Sequence, residues 1–296
     1  MVKPHRMIQV FLCLVFGVLL YILMRIPIEL ENNYRDTEEM YVPLALSERI
    51  SDSYPVRYCT SNQSYVDFGS SNILTSQQKA SVEQCIASYQ QDHTRALEDE
   101  RSHRAIRYTN HSYLNRNSVM IEVGGHLGID VSEFNSRYHP GLYFVLEPVP
   151  KFYNILVTKF KEFKNVVFFN FGIDVGDGQF YIKESSDDAV SIFESDSQIG
   201  EMIQIVNTTQ FFETLSVRSR DVDLITMNCE GCEYAVLDLL LTTDYIRHFR
   251  NIQFQSHRIE RICYPIRRFC WYQELLRKTH KLSFQFRFVW ENWTKL

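Results

Sequence analysis

Hydrophobic positions fall along this chain in short blocks, separated by glycine, proline and polar residues. Val119-Met120-Ile121-Glu122-Val123, Leu142-Tyr143-Phe144-Val145-Leu146 and Val166-Val167-Phe168-Phe169-Asn170-Phe171 are runs of strand length. So are Leu224-Ile225-Thr226-Met227-Asn228-Cys229 and Asn251-Ile252-Gln253-Phe254-Gln255. Near-continuous apolar runs of this kind mark strands covered on both faces. Between them the period changes: Phe152, Ile155, Leu156 and Phe160, and again Val236, Leu237, Leu240 and Leu241, recur at helical spacing. Pro148 and Pro150 open the first of these helices. Ile129 and Phe134 mark another helix, and a further one is expected near 267–279. Asp177-Gly178 reads as a hairpin turn before Gln179-Phe180-Tyr181-Ile182, and the aromatic segment from Phe284 to Trp293 as a terminal strand or hairpin. Alternating strands and helices predict an α/β domain over 117–296, with a mostly parallel twisted sheet and helices on both faces.

Upstream, Thr75-x-x-Gln78 forms a capping-box pattern, and Val82, Cys85, Ile86 and Tyr89 follow at helical spacing. A helix over 76–102 is expected, within an N-terminal helical extension spanning 56–116. Residues 29–55 are acidic with few apolar positions and read as a stem. Met7 to Met24 form an apolar run preceded by Lys3, His5 and Arg6. No small-residue cleavage site follows it, so residues 7–28 read as an uncleaved transmembrane signal anchor behind a cytosolic tail of residues 1–6. The basic excess before the run places the remainder in the lumen of the Golgi or ER, as a type II membrane protein.

Composition adds three restrictions. The 296 residues are 45% hydrophobic, enough for one sizeable core, and the net charge of -5 offers no footprint for nucleic acid. Six of the seven cysteines lie beyond the apolar run, as do sequons beginning at Asn62, Asn110, Asn207 and Asn292. Both suit an oxidising, glycosylating compartment. Cys59 is expected to pair with Cys85, leaving Cys229, Cys232, Cys263 and Cys270 to pair among themselves. With no second Cys-x-x-Cys, a zinc site is not expected.

Candidate chemistry clusters where strands end. Glu122 precedes Gly124-Gly125-His126-Leu127-Gly128, and Glu147 ends the next strand. Strand, glycine turn, helix and a second strand with a terminal carboxylate make half of a nucleotide-binding unit. The dinucleotide fingerprint is broken by His126, and no Gly-Lys-Ser/Thr loop is present. An acid at the loop entrance suits a ligand with a cationic amine and no pyrophosphate, which describes S-adenosylmethionine. Glu147 would bind its ribose and Glu122 its amine, unless Glu122 simply braces the loop. Gly124 and Gly128 would make room for it, and Asp174 would reach the adenine amino group or serve only its turn.

Three blocks together resemble the FkbM-type S-adenosylmethionine-dependent methyltransferases. They are Glu122 to Gly128, Phe144-Val145-Leu146-Glu147-Pro148-Val149-Pro150, and Asp223-Leu224-Ile225-Thr226-Met227-Asn228-Cys229-Glu230-Gly231-Cys232-Glu233-Tyr234. The resemblance covers 117–296. It implies a Rossmann-like methyltransferase fold and methyl transfer to oxygen, often on a sugar. Asn228 stands where that family carries aspartate, so proton removal would be lost or moved, while Asn228 can still hydrogen-bond a substrate hydroxyl or the cofactor. Glu230 is the candidate general base or hydroxyl anchor, against a simpler role as a helix N-terminal acid. His257 is the other candidate base, against a structural hydrogen-bond role. The alternative to an enzyme is an inactive relative that binds a secretory-pathway protein.

Overall fold

The computed structural model describes residues 66–68, 73–182, 200–259 and 262–296. Its main sheet has seven strands: β1 (Val119–Val123), β2 (Leu142–Leu146), β3 (Val166–Phe169), β7 (Leu224–Met227), β8 (Asn251–Gln255), β9 (His280–Phe286) and β10 (Trp290–Lys295), in the order β3-β2-β1-β7-β8-β10-β9. β1 pairs in parallel with both β2 and β7, and β7 in parallel with β8. Only β10 runs against the rest, antiparallel to β8 and β9. The chain therefore steps outward from β1 to β3, then returns to the other side of β1. This reversal between β1 and β7 is a topological switch point, where α/β folds bind ligands.

Alternation through the pleat divides the core in two. Ile121, Val123, Phe144, Leu146, Ile225 and Met227 face one side. There they meet α5 (Thr208–Thr214), α6 (Cys232–Thr242), α7 (Pro265–Leu276) and α1 (Ser76–Glu98). Met120, Tyr143 and Val145 face the other side, against α3 (Ile129–Tyr138) and α4 (Pro150–Lys159). Helices thus cover both faces, as expected, and the fold is Rossmann-like of the methyltransferase type.

The structure departs from the expected pattern in four places. The first helix stops at Glu98, because Asp99 leaves helical geometry (φ −100°, ψ 37°), and α2 (Glu100–Thr109) follows. Its start is as expected: Thr75 and Gln78 exchange side-chain and backbone hydrogen bonds at 3.2 and 3.0 Å. Asp177-Gly178 does not fold the chain back on β3. Instead β5 (Gly178–Ile182) pairs antiparallel with β6 (Glu201–Asn207), and β4 (Gly172–Asp174) pairs with β6 in parallel, making a separate three-stranded sheet. The last helix begins at Pro265, two residues earlier than expected, with proline at the position that lacks a bonding partner anyway.

The fourth departure is the cysteines. Cys85 bridges Cys270, not Cys59, because α1 lies along α7 and brings the two Cα atoms to 5.8 Å. Cys229 bridges Cys232 within its own turn, and Cys263 is a half-cystine as well. Val82 and Cys85 of α1 belong to the main core, so the helical extension packs as part of the domain.

Among the described residues no helix is long and apolar enough to cross a membrane. The expected anchor, the stem and Asn62 lie outside the described residues. The other three sequons differ sharply. Asn110 is exposed, Asn207 caps α5 through hydrogen bonds from Thr209 and Gln210, and Asn292 is fully buried.

Candidate active site

A cleft of about 330 Å³ opens at the carboxyl ends of β1, β2, β7 and β8. Its volume is within the range of pockets that hold small ligands. One rim is the glycine loop. Gly124 has φ +97°, and a Cβ there would collide with the carbonyl oxygen of Asn228. Gly128 (φ +73°) turns the chain into α3 beneath the Phe160 ring. Both glycines serve close packing inside the protein, and only Gly124 lines the cleft.

Glu147 stands at the wall of this rim, 4% exposed. Its Oε2 accepts the backbone N–H of His126 at 2.7 Å, and its Oε1 that of Val149 at 2.8 Å. The carboxylate thereby fixes the loop. Each oxygen retains acceptor capacity for a further donor. Burial pushes the carboxyl up to about 7, against those two N–H donors, which pull it down.

Glu122 does not reach the cleft. The pleat puts it on the same face as Met120, where the Tyr143 hydroxyl donates to its carboxylate. Burial, then the charge of Asp130, pushes it well above the usual carboxylate range. Asp174 also lies outside the lining. Its Oδ1 accepts the N–H of Val175 at 2.7 Å, which is the turn role.

The other rim is charged. Asn228, Cys229, Glu230, Cys232 and Gln255 line it. Glu230 sits at φ +52°, a region that non-glycine residues seldom occupy. Behind it His257, 8% exposed, is held between two carboxylates. Its Nδ1 is 3.0 Å from Glu233 Oε1, which also accepts the His257 backbone N–H. Its Nε2 is 3.1 Å from Glu230 Oε1, an ion-pair contact. Glu233, 1% exposed, takes the Gly231 N–H on its other oxygen at 2.9 Å. Burial alone would lower the imidazole. The charges of Glu233 and Glu230 and their hydrogen bonds overcome that and raise it to about 10. At neutral pH His257 is therefore an imidazolium and has no lone pair with which to act as a base.

The remaining wall is apolar: Val149, Phe152, Ile173, Ile203 and Ile205. Sequence reasoning missed most of it, and missed Gln255. One signal was present. Met202-Ile203-Gln204-Ile205 alternates with period two, and the two isoleucines are the buried positions.

The strand order and the cleft at its switch point define a Rossmann-like fold of the methyltransferase type. No protein-family model matches the sequence, and no curated protein matches it. Solved structures are similar at a distance. The FkbM methyltransferase of Methylobacillus flagellatus KT is 8% identical over 61% of this chain and 44% of that one, with a TM-score of 0.41. Precorrin-6y C5,15-methyltransferase of Geobacter metallireducens GS-15 is 14% identical over 60% and 72%, with a TM-score of 0.36. Fibrillarin of Aeropyrum pernix, solved with natively bound S-adenosyl-L-methionine, is 10% identical over 62% and 69%, with a TM-score of 0.34. The chain thus spans less than half the length of the FkbM methyltransferase. At such identities and scores these likenesses carry nothing about chemistry, which rests on the cleft's own residues.

Proposed function

We propose that this protein is an S-adenosylmethionine-dependent O-methyltransferase, membrane-anchored, with its domain in the lumen of the Golgi or ER and a sugar hydroxyl as acceptor. The observation that carries this reading is the continuity of one cleft from Glu147 to Glu230. It joins a buried acceptor suited to ribose hydroxyls with an acid suited to a reacting hydroxyl.

The cofactor would supply an electrophilic methyl group on a cationic sulfonium. The chain's own contribution is positioning and proton removal. Glu147 would hold the ribose, beside a loop whose Gly124 lets backbone come close. The apolar wall of Phe152, Ile173, Ile203 and Ile205 suits a flat base. Asn228 and Gln255 would orient the acceptor hydroxyl, and Glu230 would take its proton. His257, a fixed cation 3.1 Å from Glu230, holds that carboxylate in place at the rim. The lumenal placement is supported by the apolar run before residue 25 with its basic flank, by the sequon at exposed Asn110, and by disulfides, which persist in oxidising compartments.

Isothermal calorimetry of S-adenosylmethionine with the full-length chain tests this, with Glu147→Ala as control and circular dichroism to verify folding. Micromolar binding that the variant loses is the expected result. No binding by the folded protein would sink the reading. It would favour the alternative, a non-catalytic relative that binds a protein partner, for which Asn228 in place of aspartate speaks.

A further inference from the structure

The two described disulfides have opposite surroundings. Cys85–Cys270 lies inside the core, with its cysteines 5% and 0% exposed. Cys229–Cys232 is half-buried, and both its residues line the cleft. Three titratable side chains surround it: Glu230 between the two cysteines, and Glu233 and His257 behind them. Cys229 Sγ lies 3.5 Å from Glu233 Oε2. Cys232 is the first residue of α6, a helix of 11 residues.

The geometry points to Cys229–Cys232 as a thiol-exchange site, open to a small thiol that enters the cleft. An incoming thiolate attacks one sulfur, and the other departs as a thiolate. Departure of Cys232 is favoured, because the N-terminal N–H groups of α6 stabilise negative charge there. Charge on Cys229 is disfavoured by the Glu233 carboxylate beside it. The mixed disulfide therefore forms on Cys229. A second thiol then attacks that mixed disulfide and carries the first away as an oxidised dimer. The balance is one protein disulfide and two thiols consumed, two cysteine thiols and one small-molecule disulfide formed. The two electrons come from the entering thiols, and the departing thiolates take their protons from water.

This site lies beyond the methyltransferase reading and needs no methyl donor. Exchange would nevertheless loosen the turn that holds Glu230. The Cys229-Glu230-Gly231-Cys232 segment is tied end to end by the bond itself and held within by the Gly231 N–H donated to Glu233.

The test uses the full-length wild-type chain without denaturant. It is exposed to glutathione or dithiothreitol, quenched with an alkylating agent, and mapped by peptide mass spectrometry. Cys229 and Cys232 should be labelled about tenfold faster than Cys85 and Cys270, as accessibility dictates. With glutathione, the trapped adduct should sit on Cys229. Equal labelling of the two pairs, or labelling only when the protein unfolds, would overturn the site. An adduct on Cys232 instead would overturn the assigned direction of attack.

Discussion

On one rim of the cleft the chain presents backbone; on the other it presents charge. At the ends of β1 and β2, a glycine that passes under a carbonyl sets the shape, and Glu147 serves that shape by accepting two backbone N–H groups. At the ends of β7 and β8 the shape is held by Glu230, His257 and Glu233, an acid, a cation and an acid in series. The first rim is rigid through sterics and insensitive to salt. The second depends on protonation. A surface whose outline backbone sterics fix thus faces one held by ion pairs, and the two touch where Gly124 meets Asn228.

That contact is the place to break both rims at once. Gly124→Ala adds a Cβ against the Asn228 carbonyl at a left-handed φ, and should cost about 4 kcal/mol or more in urea unfolding. Near-normal stability would mean that the rims separate freely. The charged rim is tested next by Glu233→Gln, which leaves His257 without its principal counter-charge and should cost about 3 kcal/mol. The pH dependence has a definite sign. The imidazole is raised in the fold, so its stabilisation is complete below its ordinary value and is lost as pH rises through about 10. Thermal melts of the wild type should fall across that alkaline range, and those of the variant, which keeps only Glu230 beside the imidazole, should fall less.

The backbone rim has its own, smaller dependence. Glu147 is raised to about 7, so its charged form grows in across neutrality. Its stability term runs against burial of that charge: it favours the fold below the ordinary carboxylate value and is lost as pH rises through about 7. Affinity for S-adenosylmethionine should move the opposite way, strengthening about tenfold between about pH 6 and about pH 8, with Glu147→Gln flat over the same range by calorimetry. The smallest effect lies away from both rims. Asn110→Gln should change stability by no more than about 0.5 kcal/mol. In a secretory host it should remove one glycan by mass, while Asn207 and Asn292 carry none because one caps a helix and the other is fully buried.

The backbone rim was the more legible of the two in the sequence. Buried parallel strands leave continuous apolar runs, and a glycine after such a run can only be a turn or a close approach, so β1, β2, β7 and β8 fell within two residues of their expected bounds. The direction of Glu122 was hidden by that same continuity. In Val-Met-Ile-Glu-Val both faces are apolar, and nothing marks which phase of the pleat points to Tyr143. His257 was visible as a residue but not as a cation, because its charge depends on Glu233, 24 positions away in the chain. The small sheet was missed because β4 has three residues and pairs Gly172 with Ile205, 33 positions later, beyond the reach of any local pattern. Disulfide connectivity was beyond reach in principle, since spacing does not determine it.

Cys85 and Cys270 are separated by 185 residues, and closing so long a span restricts the unfolded chain by about 5 kcal/mol in the chain-entropy model. The bond also changes the topology of the molecule. Every residue that lines the cleft, from Val123 to Gln255, lies inside the covalent ring it closes. A protease that severs one peptide bond within that ring opens a circle and divides nothing. The two arms remain a single molecule, and both rims of the cleft stay on it.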